Sequence, residues 1–279
     1  LKKSNELFAE MVININNLKS WDSGKEAQNI LFKNGSFIVF VANKTNEIEM
    51  ALRLRYDVFC EECEKNFVDR APEKMDTDFY DTQFHHLLVF DKNNGLLAGT
   101  YRLQTYEMAK KGLGFYSENE FDLNMIPLPL LRRSVEAGKA CIRKEYRNSR
   151  VLFLLWKGVA AYMRSMKKSV IFGCSSLFLN DYSEGWNFYR QLKKNGYCSS
   201  DYMIPVHANY EIPQPPDFRH LMQDAIEAPV LFQKYLEIGS KVASYPAFDH
   251  DFGSVDFLTI LKLTDINRLF LNFVRRDIF

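Results

Sequence analysis

The sequence predicts an α/β (α+β) fold, one mixed sheet with helices on both faces rather than a doubly wound parallel sheet. Three observations carry that expectation. Apolar runs of strand length alternate with longer amphipathic segments in the order strand, helix, hairpin, strand, helix, strand, helix, strand. Asn94-Gly95 stands between two apolar runs, a strong hairpin signal. The composition is that of a packed chain: 47% of the 279 residues are hydrophobic, and 23 Phe and 14 Tyr exclude a disordered class.

Taken in order, residues 4–20 read as a weak amphipathic helix, with Leu7, Phe8, Met11 and Ile15 on one side. Gly35-Ser36 introduces a short buried strand, Phe37 to Val41. From Glu47 the spacing of Met50, Leu52, Leu54, Val58 and Phe59 suits a helix to about Cys63. An acidic loop, Glu73 to Asp81, leads into a hairpin with arms His86–Phe90 and Leu97–Leu103. Residues 107–130 are irregular, broken by Pro127 and Pro129. Ser134 to Arg143 is a strand, and Asn148 caps a helix over 149–165. Val170 to Gly173 is strand, Asp181 to Lys194 helix ended by Gly196, and Tyr202 to Tyr210 extended. Beyond Pro213-Gln214-Pro215-Pro216 come a helical region near 218–240, a strand Val255 to Leu263 and a short helix. These boundaries divide the chain into an N-terminal helical extension (1–30), a core (31–212) and a C-terminal extension packed on it (213–279).

Net charge is +1, which excludes a polycation built for nucleic acid. The balance hides an asymmetry. Between Arg132 and Lys168 eleven Lys and Arg face two acids, Glu136 and Glu145. Such a window is either a solvated helix face or a docking surface for an acidic carrier protein, a phosphopantetheine arm or an anionic membrane. The aromatic residues lie in apolar periodic runs rather than among these cations, so they form no stacking platform for bases. No apolar run is long enough to span a bilayer, no signal peptide is apparent, and five cysteines lack framework spacing. A reduced, cytoplasmic location is expected, with peripheral contact at the inner membrane compatible with it.

Ser134 to Arg150 is the most informative stretch. A strand bearing Glu136 and Lys139 ends in a basic turn, and a helix starts at once. The free N–H groups of that helix start, ringed by Arg143, Lys144, Arg147 and Arg150, form an anion site suited to a pantetheine phosphate. Gly138 within the strand suggests a bulge, which would leave an N–H free to polarise a thioester carbonyl. Metal and redox motifs are weak. Cys60 and Cys63 have no second ligand pair, Cys141 has no histidine placed to activate it, and no tightly bound metal or cofactor is expected.

The stretches His86-Leu-Leu-Val-Phe-Asp, Gly99-Thr-Tyr-Arg-Leu, Glu136-Ala-Gly-Lys-Ala-Cys-Ile with Glu145-Tyr-Arg, and Pro246-Ala-Phe-Asp-His-Asp-Phe-Gly-Ser-Val-Asp-Phe-Leu resemble bacterial ornithine-acyl carrier protein N-acyltransferases and N-acyl amino acid synthases. These share the Gcn5-related (GNAT) fold. Acyl-homoserine lactone synthases are more distantly similar, echoed in Arg55 and Phe59, in Asp76, Asp78, Tyr80 and Asp81, and in Glu136 and Lys139. The resemblance implies a central sheet with a V-shaped split and a GNAT-like catalytic core over residues 31–212. It also implies transfer of a fatty acyl chain from a thioester to the α-amine of an amino acid such as ornithine or glycine. An autoinducer-type lactone synthase is the alternative; the tail after residue 213 argues against it, because those enzymes are shorter. A non-catalytic acyl- or carrier-binding module is the second alternative.

Under that resemblance Gly138, Ala140, Ile142, Arg143, Arg147, Asn148, Ser149 and Arg150 would hold the acyl donor. The GNAT pyrophosphate loop usually has small residues where this chain has Arg150 and Leu152. A single phosphate needs less of a cradle, which favours a carrier-protein thioester over acyl-CoA as co-substrate. Glu136 would be the general base, Tyr189 the acid for the leaving thiolate, and Arg102 the residue that orients Glu136, pairs with the acidic loop or holds the substrate carboxylate. Arg55, Phe59, Asp78, Asp81, Lys139 and Ser175 would contact the acceptor, with Gly173 to Ser176 as the second lip of the split. Lys139 stands where the lactone-synthase pattern has Arg and keeps the charge without the bidentate fork. Phe153, Leu154, Trp156 and Phe172 are core candidates, some of which would line an acyl tunnel.

Overall fold

The computed structural model describes residues 30–62, 73–215 and 225–267. Its nine strands form one sheet. β1 (Ile30–Asn34), β2 (Phe37–Val41), β3 (His85–Asp91), β4 (Leu96–Thr105) and β5 (Ser134–Ile142) run antiparallel in sequence order. β5 then pairs in parallel with β6 (Val170–Leu177), β6 with β9 (Ser254–Lys262), and β9 with both β7 (Lys241–Val242) and β8 (Ala247–Asp249).

Alternation along the strands sorts side chains onto two faces. Phe37, Val39, Val41, Leu87 and Val89 pack under helix α4 (Ser149–Ser165), with its Val151, Leu154, Leu155 and Val159. Their neighbours Ile38, Phe40, Leu88 and Phe90 pack under helix α1 (Thr45–Tyr56), with Ala51 and Leu54. The layer over α4 is thin at Gly158, where a Cβ would lie 2.9 Å from the side chains of Val39 and Leu87. Helix α5 (Gly185–Lys194) and helix α6 (Val230–Ile238) pack with Val242, Val255 and Phe257 at the other end of the sheet. Between β4 and β5 lie helix α2 (Tyr106–Lys111), short turns and helix α3 (Leu128–Leu131).

Most elements lie where the sequence places them. The hairpin, β5 and α4 match, and Asn148 caps α4 by accepting the Arg150 N–H at 3.1 Å. Three expectations are corrected. Gly35-Ser36 is the turn of a hairpin that starts with β1, a strand the sequence reading omitted. β6 continues to Leu177, four residues past Gly173. The chain beyond 213 is no appendage, because β9 pairs with β6 along eight residues and is an interior strand of the sheet. The expected helices at 4–20 and at the C-terminal end, and Cys63, lie outside the described residues. No described helix is long and apolar enough to cross a membrane.

Candidate active site

β5 and β6 pair only through Ser134, Val135 and Glu136 with Val170, Ile171 and Phe172. Past that point β5 stays with β4 and β6 stays with β9, so the two parallel neighbours part in a V. At the vertex a Cβ on Gly173 would stand 2.1 Å from the Ala137 carbonyl oxygen, an approach only glycine allows. A cavity of about 300 Å³ fills the gap. Gly138, Lys139 and Ala140 form one lip, Cys174, Ser175 and Ser176 the other, and Phe232 and Tyr235 of α6 also line it. A second, apolar chamber of about 90 Å³ is lined by Trp156, Val159, Met163, Ile171 and Phe172. It shares Tyr101 and Tyr235, whose hydroxyls are hydrogen-bonded to each other, with the larger cavity.

The expected bulge is present, one residue further on. Thr100 faces Cys141 and Arg102 faces Gly138, leaving Tyr101 opposite both Lys139 and Ala140. Lys139, not Gly138, takes the left-handed conformation, with φ 51°. This turn aims its ammonium at the face of Phe252, 4.1 Å away, and at Asp76, 3.5 Å away, with the Phe59 ring at 5.7 Å. Burial lowers the Lys139 pKa, and Asp76 only partly restores it.

Glu136 lines the cavity at its floor and is 1% exposed. Its carboxylate accepts four hydrogen bonds. The Ser117 N–H (2.7 Å) and hydroxyl (2.6 Å) reach Oε1, while Gln104 Nε2 (2.6 Å) and the Tyr116 N–H (2.9 Å) reach Oε2. Burial raises the Glu136 carboxyl above its usual range, and these donors pull it back only in part.

Arg102 does not touch Glu136; of the roles open to it, the structure shows pairing with the acidic loop. Its Nη1 lies 2.6 Å from both Asp78 oxygens and 2.9 Å from Asp81 Oδ1. Arg55 bonds Asp81 at 2.5 Å and Asp76 at 2.8 Å. Three acids and two guanidiniums therefore brace the loop against β4 and α1. Phe59, Arg102, Lys139 and Ser175 line the cavity, and Arg55, Asp78 and Asp81 lie behind them in the ion-pair network. Tyr189 is buried in the α5 core against Trp186 and Tyr245, its hydroxyl lies 3.9 Å from the Met203 sulfur, and it is not among the residues lining either chamber.

Among the residues expected to hold the donor, Gly138 and Ala140 line the cavity. Ile142 is half-buried and packs on the α4 core, while Asn148, Ser149 and Arg150 are exposed at the start of α4. The cations there are partly engaged. Arg147 pairs with Glu62 at 2.7 Å, Arg143 with Asp57 at 3.5 Å, and Arg150 reaches Asn34 at 3.2 Å and stacks on Phe37. Trp156 and Phe172 line the apolar chamber, whereas Leu154 is core.

Sequence reasoning missed Ser117, Glu120, Tyr101, Tyr235, Asp249 and Asp256. Asp249 and Asp256 fall in the tail stretch beginning at Pro246, but no local spacing ties them to Glu136. Ser117 and Glu120 sit in a segment read only as irregular, and nothing in it signals a site.

An open mixed sheet that parts beside a bulged strand, with a basic helix start in the next loop, defines the GNAT-like acyltransferase class. Residues 54–157 match the family model described as acetyltransferase (GNAT) domain. The chain belongs to the L-ornithine N(alpha)-acyltransferase family and is an N-acyltransferase. It is 32% identical to the enzyme of that name from Brucella abortus, over 90% of this chain and 96% of the relative. It is 27% identical to the one from Agrobacterium fabrum, over 90% and 89%. Among solved structures, FeeM, an N-acyl amino acid synthase from uncultured soil microbes, shares the fold with TM-score 0.50 at 9% identity, covering 85% of this chain and 97% of that one.

Proposed function

We propose that the protein moves a fatty acyl chain from the phosphopantetheine thioester of an acidic acyl carrier protein to the α-amine of ornithine. The observation that carries this reading is the V-shaped gap itself, with a carboxylate at its floor and an apolar chamber beside it. Membership of a family whose relatives are named for ornithine acylation supports the acceptor. The exposed cations of residues 144–150 are the proposed landing surface for the carrier and its phosphate. The acyl chain would occupy the apolar chamber between α4 and α6. The product is amphiphilic, and peripheral contact with the inner membrane from the cytoplasm would let it leave into the bilayer.

In the proposed step the neutral α-amine attacks the thioester carbonyl carbon, and the carbonyl oxygen draws on N–H groups of the Gly138–Ala140 bulge. The nitrogen loses its proton to Ser117 Oγ as the Ser117 proton passes to Glu136. The C–S bond then breaks, and the thiolate, with an ordinary pKa near ~8.5, takes up the released proton and needs no tyrosine acid. The carboxylate of the acceptor would face Lys139. The test is thiol release from acyl carrier protein and from acyl-CoA, with and without ornithine, and mass spectrometry of the lipid formed. Ornithine-dependent release with an N-acyl product is expected. Release that ignores the amine, or lactone formation with S-adenosylmethionine, overturns the reading.

A further inference from the structure

Three carboxylates from three segments meet at the cleft, and none of them forms an ion pair among the described residues. Glu120 follows the 116–119 turn, Asp249 ends β8 and Asp256 lies within β9, at 2%, 6% and 3% exposure. One oxygen of Glu120, one of Asp256 and the Cys174 sulfur lie within 4.8 Å of one another. Cys174, Asp249 and Asp256 line the cavity. Among the described residues, no Lys, Arg or His forms an ion pair with any of the three acids. Lys139, on the same wall, lies 3.5 Å from Asp76 and over the Phe252 ring, and its charge pulls the Asp256 carboxyl down only in part. Neutral donors serve all three: the Asp251 and Phe252 N–H groups bind Asp249, the Ser254 hydroxyl binds Asp256, and the Cys174 thiol reaches Glu120 Oε1 at 3.8 Å. Glu120 Oε2, fully buried, has no hydrogen-bond partner.

Buried acids gathered in this way are costly unless a positive charge joins them. Burial, then repulsion from Asp256 and Asp249, pushes the Glu120 carboxyl well above its usual range, and burial with Asp249 pushes Asp256 up to about 6. We propose that Glu120, Asp249 and Asp256 receive the side-chain ammonium of a diamino acid acceptor, and that this contact both selects a basic amino acid and directs acylation to its α-amine. The inference rests on the amino-acid acceptor of the acyl-transfer reading and adds the residues that read its side chain.

Geometry places the cluster within reach. Glu136 meets Ser117 Oγ at 2.6 Å, Ser117 Oγ meets the Cys174 sulfur at 3.5 Å, and that sulfur meets Glu120 Oε1 at 3.8 Å. One short aliphatic chain can therefore set one nitrogen near Ser117 and another among the acids. The chemistry then separates the two amines. A side-chain ammonium titrates near ~10.4 and an α-amine near ~8, and carboxylates around the former hold its proton, so it has no lone pair with which to attack.

The test compares L-ornithine with L-norvaline, which has the same carbon skeleton without the distal ammonium. Binding to the full chain is followed by calorimetry in wild type, Glu120→Gln and Asp256→Asn, with and without a chelator, and the position of acylation is read by fragmentation mass spectrometry. Wild type should bind ornithine at least ~10-fold more tightly than norvaline. Each variant that folds should lose that preference by weakening ornithine alone, and side-chain-acylated product should appear. Equal affinities in wild type, equal weakening of both ligands in the variants, or a preference abolished by the chelator would overturn the assignment. Ornithine preference without acyl transfer would sink the proposed reaction and leave the cluster assignment standing; transfer without preference would do the reverse.

Discussion

Ser117 gives Glu136 Oε1 both its backbone N–H, at 2.7 Å, and its hydroxyl, at 2.6 Å. Together with Gln104 and the Tyr116 N–H, these donors fill the acceptor sites of the carboxylate. The hydroxyl is the only one of the four donors that can pass a proton onward and take another. A carboxylate enclosed in this way suits a base that works through its neighbour, and it also anchors the 116–117 turn to β5.

Two outcomes separate those roles. Glu136→Gln turns an amide NH2 toward groups that are themselves donors, and leaving buried donors unmatched costs about 1–3 kcal/mol. It should also reduce kcat by roughly 10²–10⁴ if Glu136 is the base. Ser117→Ala keeps the backbone donor and removes only the hydroxyl. We expect a small change in melting temperature and at least a ~10-fold loss of kcat in this variant. Full activity in Ser117→Ala would eliminate the relay, and an unchanged acid limb of the pH–rate profile in Glu136→Gln would eliminate the base.

Gly173 fixes where the strands part. A methyl group there meets the Ala137 carbonyl, a backbone atom that cannot swing aside. Gly173→Ala should therefore push β5 and β6 apart at the vertex and cost about 1–3 kcal/mol, the usual range for overpacking. Activity should fall more than stability does, because the carbonyl and the floor carboxylate lie on adjacent residues of β5. Urea denaturation alongside steady-state rates measures both. A variant of wild-type stability and rate would mean that the vertex is not tightly set.

Asp81 holds two arginines at once. Arg55 and Arg102 both reach its Oδ1, and the Asp78 N–H binds its Oδ2 at 2.8 Å. Burial pushes the Asp81 carboxyl up, but the two guanidiniums outweigh it and hold the group well below the usual carboxylate range. Asp81→Asn would leave buried guanidiniums short of an anion, at a cost of about 3–5 kcal/mol. An exposed pair such as Lys234–Glu237 should contribute only ~0–1 kcal/mol when Lys234 is replaced. Chemical denaturation of the two variants checks the contrast. An Asp81 variant no weaker than the Lys234 variant would show that the network does not brace the loop.

The parts of this molecule legible in sequence were those fixed locally. Asn94-Gly95 gives the hairpin, Asn148 gives the start of α4, and the run from Ser134 to Ile142 gives β5 with its carboxylate. Chemistry assembled from distant segments was not legible. Asp249 and Asp256 are brought to the cleft by the pairing of β8 with β9 and of β9 with β6, and nothing in their spacing signals Glu120 or Cys174. Tyr189 is suggested by family resemblance alone, and which face of α5 it occupies, the one buried against Trp186 and Tyr245, is set by packing that no local spacing reveals.

His86 predicts a pH response of definite sign. It is 1% exposed, its Nε2 lies 3.1 Å from the Asp81 carbonyl, and its Nδ1 has no partner. Burial lowers its pKa from 6.5 to about 4; Asp81 opposes this, while Arg55 and Arg102 reinforce it. Below pH 6.5 the unfolded chain takes up a proton that the folded protein refuses, so this residue removes stability as pH falls from 6.5 to about 4, by about 3 kcal/mol in all. Buried acids with raised pKa values, Glu136 and Asp256 among them, act in the opposite sense, and His85, also lowered by burial, acts in the same sense. The difference between wild type and His86→Leu isolates the one residue. Stability measured by urea denaturation from pH 7 to 4 should fall more steeply in wild type than in the variant. Parallel curves would mean that His86 protonates as readily in the folded protein as in the unfolded chain.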